Sequence, residues 1–157
     1  MFRSILVPLD GSKLAECALP YAEELAKCCN TEQVVLVSVT ERVEGYRLLD
    51  DSSQPSGQRI APEAVGKKEK EAQRYLDGVS KMLKAQGVKV QTEVLLGNPA
   101  EEITLFAKYH EIGLIVMSSH GRSGPSRLAF GSVADKVFRS TNVPVLMVRA
   151  PGCEVSI

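Results

Sequence analysis

A short run of small and polar residues, Met117–Gly121, is followed after nine residues by Gly131 and Ser132. The apolar run Leu114–Val116 leads into this segment, and a helical pattern, 133–138, follows it. A buried strand, a loop of small residues and a helix start together can bind phosphate. The backbone N–H groups at a helix N-terminus point towards the anion, and glycines let it approach closely. The spacing therefore predicts a nucleotide-binding site.

The second candidate segment is Pro8–Ser12, at the end of the first apolar run of the chain. Asp10 could hydrogen-bond a base or a ribose or help to hold Mg²⁺. It is equally typical of a turn between a strand and a helix, where Gly11 would assist it. Ser12 is predicted to be the N-cap of the following helix. Ligands of open α/β sheets bind beyond the carboxyl ends of the strands, so both segments line one crevice if their strands are neighbours.

Four side chains near the glycine-containing loop have both a functional and a structural interpretation. Arg122 could neutralise phosphate charge, whereas Arg127 is better interpreted as a solvated loop residue. Ser132 begins a capping box, and the same helix end can present its N–H groups to a phosphate. For His120, packing or a hydrogen bond is favoured over catalysis, because no catalytic triad is obvious around it.

Apolar runs and amphipathic segments alternate along the chain, which predicts alternating strands and helices. The predicted strands are Ile5–Leu9, Val34–Val39, Val88–Leu96, Leu114–Met117 and Val143–Val148. The predicted helices are 12–29, 62–85 with Gly87 after its end, a helix capped by Asn98 that runs to about Tyr109, and Ser132–Ser140. The alternation predicts an α/β fold in which one domain, 1–150, contains a doubly wound parallel sheet of five strands.

Two segments are predicted to lie outside these elements. Residues 41–62 are polar and rich in turn residues, which predicts a mobile loop, and 151–157 is predicted to be a loose tail. The alternating pattern of the third strand is typical of an edge strand. Pro144 places the last strand at an edge as well, since proline cannot donate a hydrogen bond within a sheet.

The composition argues against several classes of function. The chain has 157 residues, and 19 basic residues balance 19 acidic ones, which argues against a broad surface for nucleic acid or membrane. The first apolar run is too short for a signal peptide and no run has the length of a membrane helix, so a cytoplasmic location is predicted. The four cysteines, Cys17, Cys28, Cys29 and Cys153, form no CxxC pair, which favours reduced thiols over a zinc site.

Three other nucleotide-binding or signalling classes lack their motifs in this sequence. A Walker-type ATPase requires GxxxxGK[ST], and a dinucleotide-binding Rossmann domain requires GxGxxG after the first strand; neither is present. A receiver domain requires an acidic cluster after the first strand, where only Asp10 stands, and a phosphorylatable aspartate after the third.

Three blocks of the chain, 5–12, 97–103 and 118–149, resemble the universal stress protein family. The first reads ILVPLDGS, the second reads GNPAEEI, and the third contains GRSG, FGSVA and VPVLMV. The resemblance implies a Rossmann-like sheet of the adenine nucleotide alpha hydrolase type with the strand order 3-2-1-4-5. That order agrees with the two predicted edge strands and places the switch point between the first and fourth strands.

The ATP-binding branch of this family has the motif G-x-x-G, nine residues, then G-[S/T]. Gly121, Gly131 and Ser132 match it, and Ser118 stands in place of the first glycine. The implied ligand is ATP or another adenine nucleotide, with Mg²⁺ held through the phosphates and Asp10 as a candidate ligand. The residues implied are Pro8, Asp10 and Val39 at adenine and ribose, Met117, Ser118, Gly121 and Arg122 at ribose and phosphates, and Gly131, Ser132, Val133 and Ala134 at the phosphates.

The resemblance implies a regulatory module of the stress response that binds ATP and turns it over slowly or not at all. Two alternatives stay open. One is the nucleotide-free, dimeric branch of the family, to which Ser118 points. The other is a slow ATPase or autophosphorylating enzyme with Ser123, Ser126 or Ser132 as acceptor. The uncharged edge Val143–Val148 requires a cover, and the family's habit of pairing this strand predicts a homodimer.

Overall fold

The computed structural model describes residues 2–41, 66–121 and 130–149. The predictions that lie outside these residues concern 42–62 of the predicted loop, the first residues of the predicted helix 62–85, Arg122, Ser123, Ser126, Arg127, Cys153 and the predicted tail 151–157.

Strands and helices alternate along the described chain. The strands are β1 (Ser4–Pro8), β2 (Gln33–Thr40), β3 (Val90–Leu96), β4 (Leu114–Ser118) and β5 (Val145–Val148). The helices are α1 (Lys13–Glu16), α2 (Leu19–Cys28), α3 (Lys67–Ala85), α4 (Pro99–Tyr109) and α5 (Ser132–Ser140). None of the helices in this part of the chain is long and apolar enough to cross a membrane.

The five strands form one parallel sheet in the order β3-β2-β1-β4-β5. This confirms the predicted α/β fold and strand order, including both edge strands. In the centre of the sheet, Ile5 of β1 pairs with Val34 of β2 on one side and with Leu114 of β4 on the other. The chain winds outwards from β1 to β3 and then crosses to the other side, so the switch point lies between β1 and β4.

Helices cover both faces of the sheet and bury two apolar cores. On one face, Ile5 and Val7 of β1 pack with residues of α2 and α3. On the other, Leu6 packs with residues of α4 and α5. Because a strand buried on both faces needs apolar side chains on both, β1, β2 and β4 are nearly continuous apolar runs.

The predicted helix 12–29 is wrong in one respect, because it is divided into α1 and α2. Pro20 explains the division: it has no N–H to donate to the carbonyl of Glu16, and its ring would collide with that carbonyl. α1 therefore ends at Glu16, and the backbone N–H of Ala18 donates to the carbonyl of Ala15 at 3.3 Å. Ser12 is the N-cap of α1, as predicted, and its hydroxyl accepts from the N–H of Ala15 at 3.1 Å.

Both edge strands begin later than predicted. Val88 is buried but closes the end of α3, since its N–H donates to the carbonyl of Leu83 at 3.2 Å; β3 starts only at Val90. β5 starts at Val145 because Pro144 before it has no N–H for the sheet. Edge strands have one partner, so local caps and turns decide where their pairing begins.

Candidate functional site

A cavity of about 770 Å³ opens beyond the carboxyl ends of β1 and β4, at the switch point. The described residues of both candidate segments line it, together with the end of β2 and the start of α5. Of the predicted site residues, the structure brings together Pro8, Asp10, Val39, Met117, Ser118, Gly121, Gly131, Ser132, Val133 and Ala134. Arg122 lies outside the described residues.

Asp10 and Gly121 join the two segments at the floor of the cavity. One carboxylate oxygen of Asp10, Oδ1, accepts a hydrogen bond from the backbone N–H of Ser12 at 2.9 Å. A Cβ built on Gly121 would collide with the other oxygen, Oδ2, of the same carboxylate. The backbone of Gly121 thus lies directly against this carboxylate, so any larger residue would require the Asp10 side chain to shift, whereas the φ angle of Gly121 is one that other residues adopt.

Ser118, which replaces a glycine of the family motif, is the last residue of β4 and is buried. Its hydroxyl oxygen accepts from the backbone N–H of His120 at 3.3 Å and lies 3.4 Å from the Sγ atom of Cys17. In the described residues, only Asn30 and Glu111 combine a side chain with a positive φ. Ser118 therefore occupies its place without backbone strain.

The turn after β4 is tied to its neighbours by buried hydrogen bonds. The backbone N–H of Ser119 donates to the carbonyl of Val148 in β5 at 2.7 Å, and the carbonyl of Ser119 accepts from the N–H of Gly131 at 2.8 Å. The Ser119 hydroxyl and Nδ1 of His120 lie 3.0 Å apart, and both side chains are buried. His120 thus has a hydrogen-bonding role in the turn, in agreement with the favoured interpretation.

The start of α5 faces the cavity with its N-terminus. The prediction that Ser132 caps this helix is wrong, because Gly131 is the N-cap and Ser132 is the first helical residue. The physical reason is that the N–H of Gly131 is held by Ser119, while its carbonyl accepts the helical bond from Asp135 at 2.9 Å. The first N–H groups of a helix have no partner within it and carry partial positive charge. They are therefore directed towards a cavity that an anion could enter.

The wall of the cavity formed by α3 was not predicted from the sequence. Lys68, Glu71 and Tyr75 line it, and Nζ of Lys68 lies 2.8 Å from Oε2 of Glu41 at the end of β2. Hydrogen bonding to the Lys68 ammonium lowers the pKa of the Glu41 carboxyl below its ordinary value. The hydroxyl oxygen of Thr40, also in the lining residues, is buried without a hydrogen-bond partner.

The sequence model of the universal stress protein family matches residues 1–149. The chain belongs to this family. Universal stress protein MJ0531 of Methanocaldococcus jannaschii is 34% identical over 96% of this chain and 84% of its own length. Universal stress protein MJ0577 of the same organism is 31% identical over 95% of this chain and 96% of its own length.

Solved structures of universal stress proteins share the fold of this chain. The structure of MJ0577 superposes with a TM-score of 0.80 at 30% identity, over 97% of this chain and 99% of that one. A universal stress protein crystallised in complex with cAMP has a TM-score of 0.67 at 19% identity, over 95% and 98% of the two chains. The second likeness concerns the fold alone.

Among the described residues, the charged side chains that line the cavity of this universal stress protein are mostly acidic. In the described ranges, Asp10, Glu41 and Glu71 line it as carboxylates, against the single ammonium group of Lys68. No group of three or more His, Cys, Asp or Glu side chains suited to a metal ion occurs in residues 2–41, 66–121 and 130–149.

Proposed function

We propose that the cavity binds an adenine nucleotide, ATP with Mg²⁺, and that the protein is a regulatory module of the stress response with little or no turnover. The observation that carries the proposal is that the N-terminus of α5 opens on the same cavity as the carboxylate of Asp10 and the apolar side chains of Pro8, Val39 and Met117. One cavity thus offers a surface for a base, an acceptor for a ribose and donors for phosphates.

The adenosine half is assigned to the side of the cavity formed by β1 and β2. Val39 and Pro8 are half-buried and present apolar surface to a flat base. One oxygen of the Asp10 carboxylate accepts a hydrogen bond from the N–H of Ser12. A ribose hydroxyl that donates to the same carboxylate would hold the sugar in place. Apolar walls with a few polar groups in fixed positions are the usual design of small-molecule sites.

The phosphates are assigned to the N-terminus of α5. The backbone N–H groups of Ser132, Val133 and Ala134 lie in its first turn, where anions are stabilised by the helix dipole and by the unpaired donors. Three carboxylates and one ammonium line the described part of the cavity, and a cation bound with the phosphates would offset this negative charge. Mg²⁺ prefers phosphate oxygens together with one or two carboxylates, so binding is expected to depend on it.

The family motif and one solved structure of the same fold support an adenine nucleotide. The universal stress protein of the same fold that was crystallised with cAMP holds an adenine nucleotide, although at 19% identity this likeness concerns the fold only. The choice of ATP rests on the family motif, which Gly121, Gly131 and Ser132 match. Ser118 does not oppose the choice, since its side chain is engaged with Cys17 and the N–H of His120.

The test is calorimetric titration of ATP, with and without Mg²⁺, into nucleotide-stripped protein and into Gly131→Val. A Cβ at residue 131 would lie 3.4 Å from the carbonyl oxygen of Ser119, and the rest of the valine side chain would add bulk at the N-cap of α5, next to the donors assigned to phosphate. The matched control is Gly78→Val, because a Cβ on this exposed glycine of α3 meets no atom within 4 Å.

We expect micromolar binding that requires Mg²⁺, is retained in Gly78→Val and is lost in Gly131→Val. Absence of binding at millimolar ATP would refute the proposal and assign the chain to the nucleotide-free branch of the family.

We further propose that the protein is a homodimer that pairs through β5. This edge strand is apolar, and its residues Val145, Leu146 and Met147 remain half-buried in the single chain. An exposed apolar edge invites pairing with a second copy. Light scattering during size-exclusion chromatography is expected to give the mass of two chains, and a uniform monomer at micromolar concentration would contradict this.

A further inference from the structure

Two adjacent cysteines, Cys28 and Cys29, stand at the end of α2 with free thiols. Their Sγ atoms lie 3.4 Å apart; Cys28 is exposed and Cys29 is half-buried. The turn that follows leads to the amino end of β2, whereas the cavity lies at the carboxyl ends of the strands. The pair therefore lies at the opposite end of the sheet from the cavity. Neither residue lines that cavity.

The backbone around the two thiols is held by hydrogen bonds. The N–H of Cys29 donates to the carbonyl of Leu25 at 3.0 Å, and the N–H of Thr31 donates to the carbonyl of Ala26 at 3.2 Å. Leu25 and Ala26 in turn pack against the apolar core. The two sulfur atoms therefore belong to a helix end whose backbone is already held in place. A ligand that bridges them would pay little entropy for ordering the backbone.

The separation of the sulfur atoms limits what they can bind together. With bonds of about 2.3 Å to a common atom, sulfurs 3.4 Å apart subtend roughly 95° at that atom. This angle suits a pyramidal trivalent centre, whereas a linear two-coordinate ion would need the sulfurs at opposite ends. A structural zinc ion needs four ligands, and the described residues contain no group of three or more suitable side chains.

We propose that Cys28 and Cys29 form a dithiol site for soft trivalent metalloids, with trivalent arsenicals as the ligand class. The reaction involves no oxidation or reduction. A hydrated monosubstituted arsenical carries two hydroxyl groups on arsenic; each takes the proton of one thiol and leaves as water. Two arsenic–sulfur bonds replace two arsenic–oxygen bonds. Soft thiolate ligands favour such soft centres over hard cations.

The protonation state of the pair agrees with this chemistry. The neighbouring Cys29 thiol is the main cause that raises the pKa of the Cys28 thiol above its ordinary value. Simple alkylation requires the thiolate, so Cys28 is expected to react slowly with iodoacetamide near neutral pH. An arsenical brings its own hydroxyl groups to accept the protons and is not limited in the same way.

The test uses phenylarsine oxide and intact-mass spectrometry of the folded full-length chain. We expect one phenylarsenic adduct per chain that resists excess monothiol and is removed by a 1,2-dithiol such as dimercaptopropanol. Cys28→Ser and Cys29→Ser are each expected to bind about 100-fold more weakly, because the second bond is no longer intramolecular. Cys153→Ser is the matched control and is expected to bind as the unmodified chain does.

A second readout distinguishes the folded site from two thiols in an unfolded chain. A ligand that prefers the folded state raises the melting temperature, and the arsenical is expected to do so only when both Cys28 and Cys29 are present. An adduct that monothiol removes, loss of binding in Cys153→Ser, or a melting temperature that does not rise would each overturn the proposal. None of these outcomes depends on whether the protein binds ATP.

Discussion

Replacing Gly121 by alanine tests the contact at the floor of the cavity. The new Cβ would occupy the position of Oδ2 of Asp10, and 3.2 Å would separate it from the Cγ atom of the same carboxylate. The carboxylate must therefore move, and the bond of 2.9 Å from the N–H of Ser12 to its other oxygen is lost or weakened. The φ angle of Gly121 does not itself forbid alanine.

The expected cost follows from two opposing terms. Loss of a hydrogen bond to a charged group costs about 1.5–3 kcal/mol. Replacing glycine by alanine at a permitted φ stabilises the protein by about 0.4–1 kcal/mol, because it lowers the conformational entropy of the unfolded chain. The net expectation is a loss of about 1–2 kcal/mol in the free energy of unfolding. At this chain length that lowers the melting temperature by about 2–8 °C. Urea unfolding and thermal melts measure both quantities.

A second background shows whether the carboxylate is the cause. In Asp10→Ala there is no carboxylate to displace, so Gly121→Ala is expected to be neutral or to stabilise by up to about 1 kcal/mol. The double-mutant cycle should then give a coupling of about 1–3 kcal/mol between the two residues. An equal cost of Gly121→Ala in both backgrounds would refute the contact. Under the proposed function, Gly121→Ala alone also weakens ATP binding, because Asp10 is displaced.

Three further predictions concern single side chains around the cavity. Ser12→Ala removes the N-cap of α1 and should lower the free energy of unfolding, measured in urea, by about 1 kcal/mol. An unchanged free energy of unfolding would show that the cap does not stabilise the protein. Ser118→Ala loses the hydroxyl that contacts Cys17 and should also cost about 1 kcal/mol, yet calorimetry should find ATP affinity unchanged; a large loss of affinity would mean that the hydroxyl touches the ligand. Lys68→Met should return the pKa of Glu41 upwards to the ordinary glutamate range in an NMR titration. Because Lys68 lowers the pKa of Glu41 in the folded chain, the ion pair stabilises the folded state at pH values above the ordinary glutamate pKa. This stabilisation is lost as the pH falls through the lowered pKa of the folded chain. An unchanged pKa of Glu41 in Lys68→Met would show that the pair does not form in solution.

The fold could be predicted because its main determinants are local in the sequence. The apolar runs that become β1, β2 and β4 are buried on both faces, and they alternate with segments of helical period. Pro20 also marks the break between α1 and α2 in the sequence, since it cannot continue a helix that includes Glu16. The apolar residues keep their helical spacing across this break, so their pattern alone predicts one helix.

The candidate site could be predicted only where it follows the strands. Asp10 and Ser118 stand at or just beyond strand ends, and the parallel sheet brings such ends together. Lys68 and Tyr75 line the cavity because α3 packs across β2, and their spacing in the sequence carries no sign of this. The N-cap of α5 depended on a tertiary hydrogen bond from Gly131 to the carbonyl of Ser119, which a local capping pattern cannot show.

Glycine can serve two purposes in a phosphate-binding loop, and Ser118 shows which of them matters at this position. Glycine permits a positive φ, and it also leaves room for close approach of a ligand. The first role is not needed here, since Ser118 belongs to a strand and has no positive φ. For the second, its hydroxyl is engaged with Cys17 and with the N–H of His120, while the donors assigned to phosphate lie at the start of α5. The choice between the two branches of the family therefore depends on whether that helix end accepts an anion, which the ATP titrations of the unmodified chain and of Gly131→Val test together.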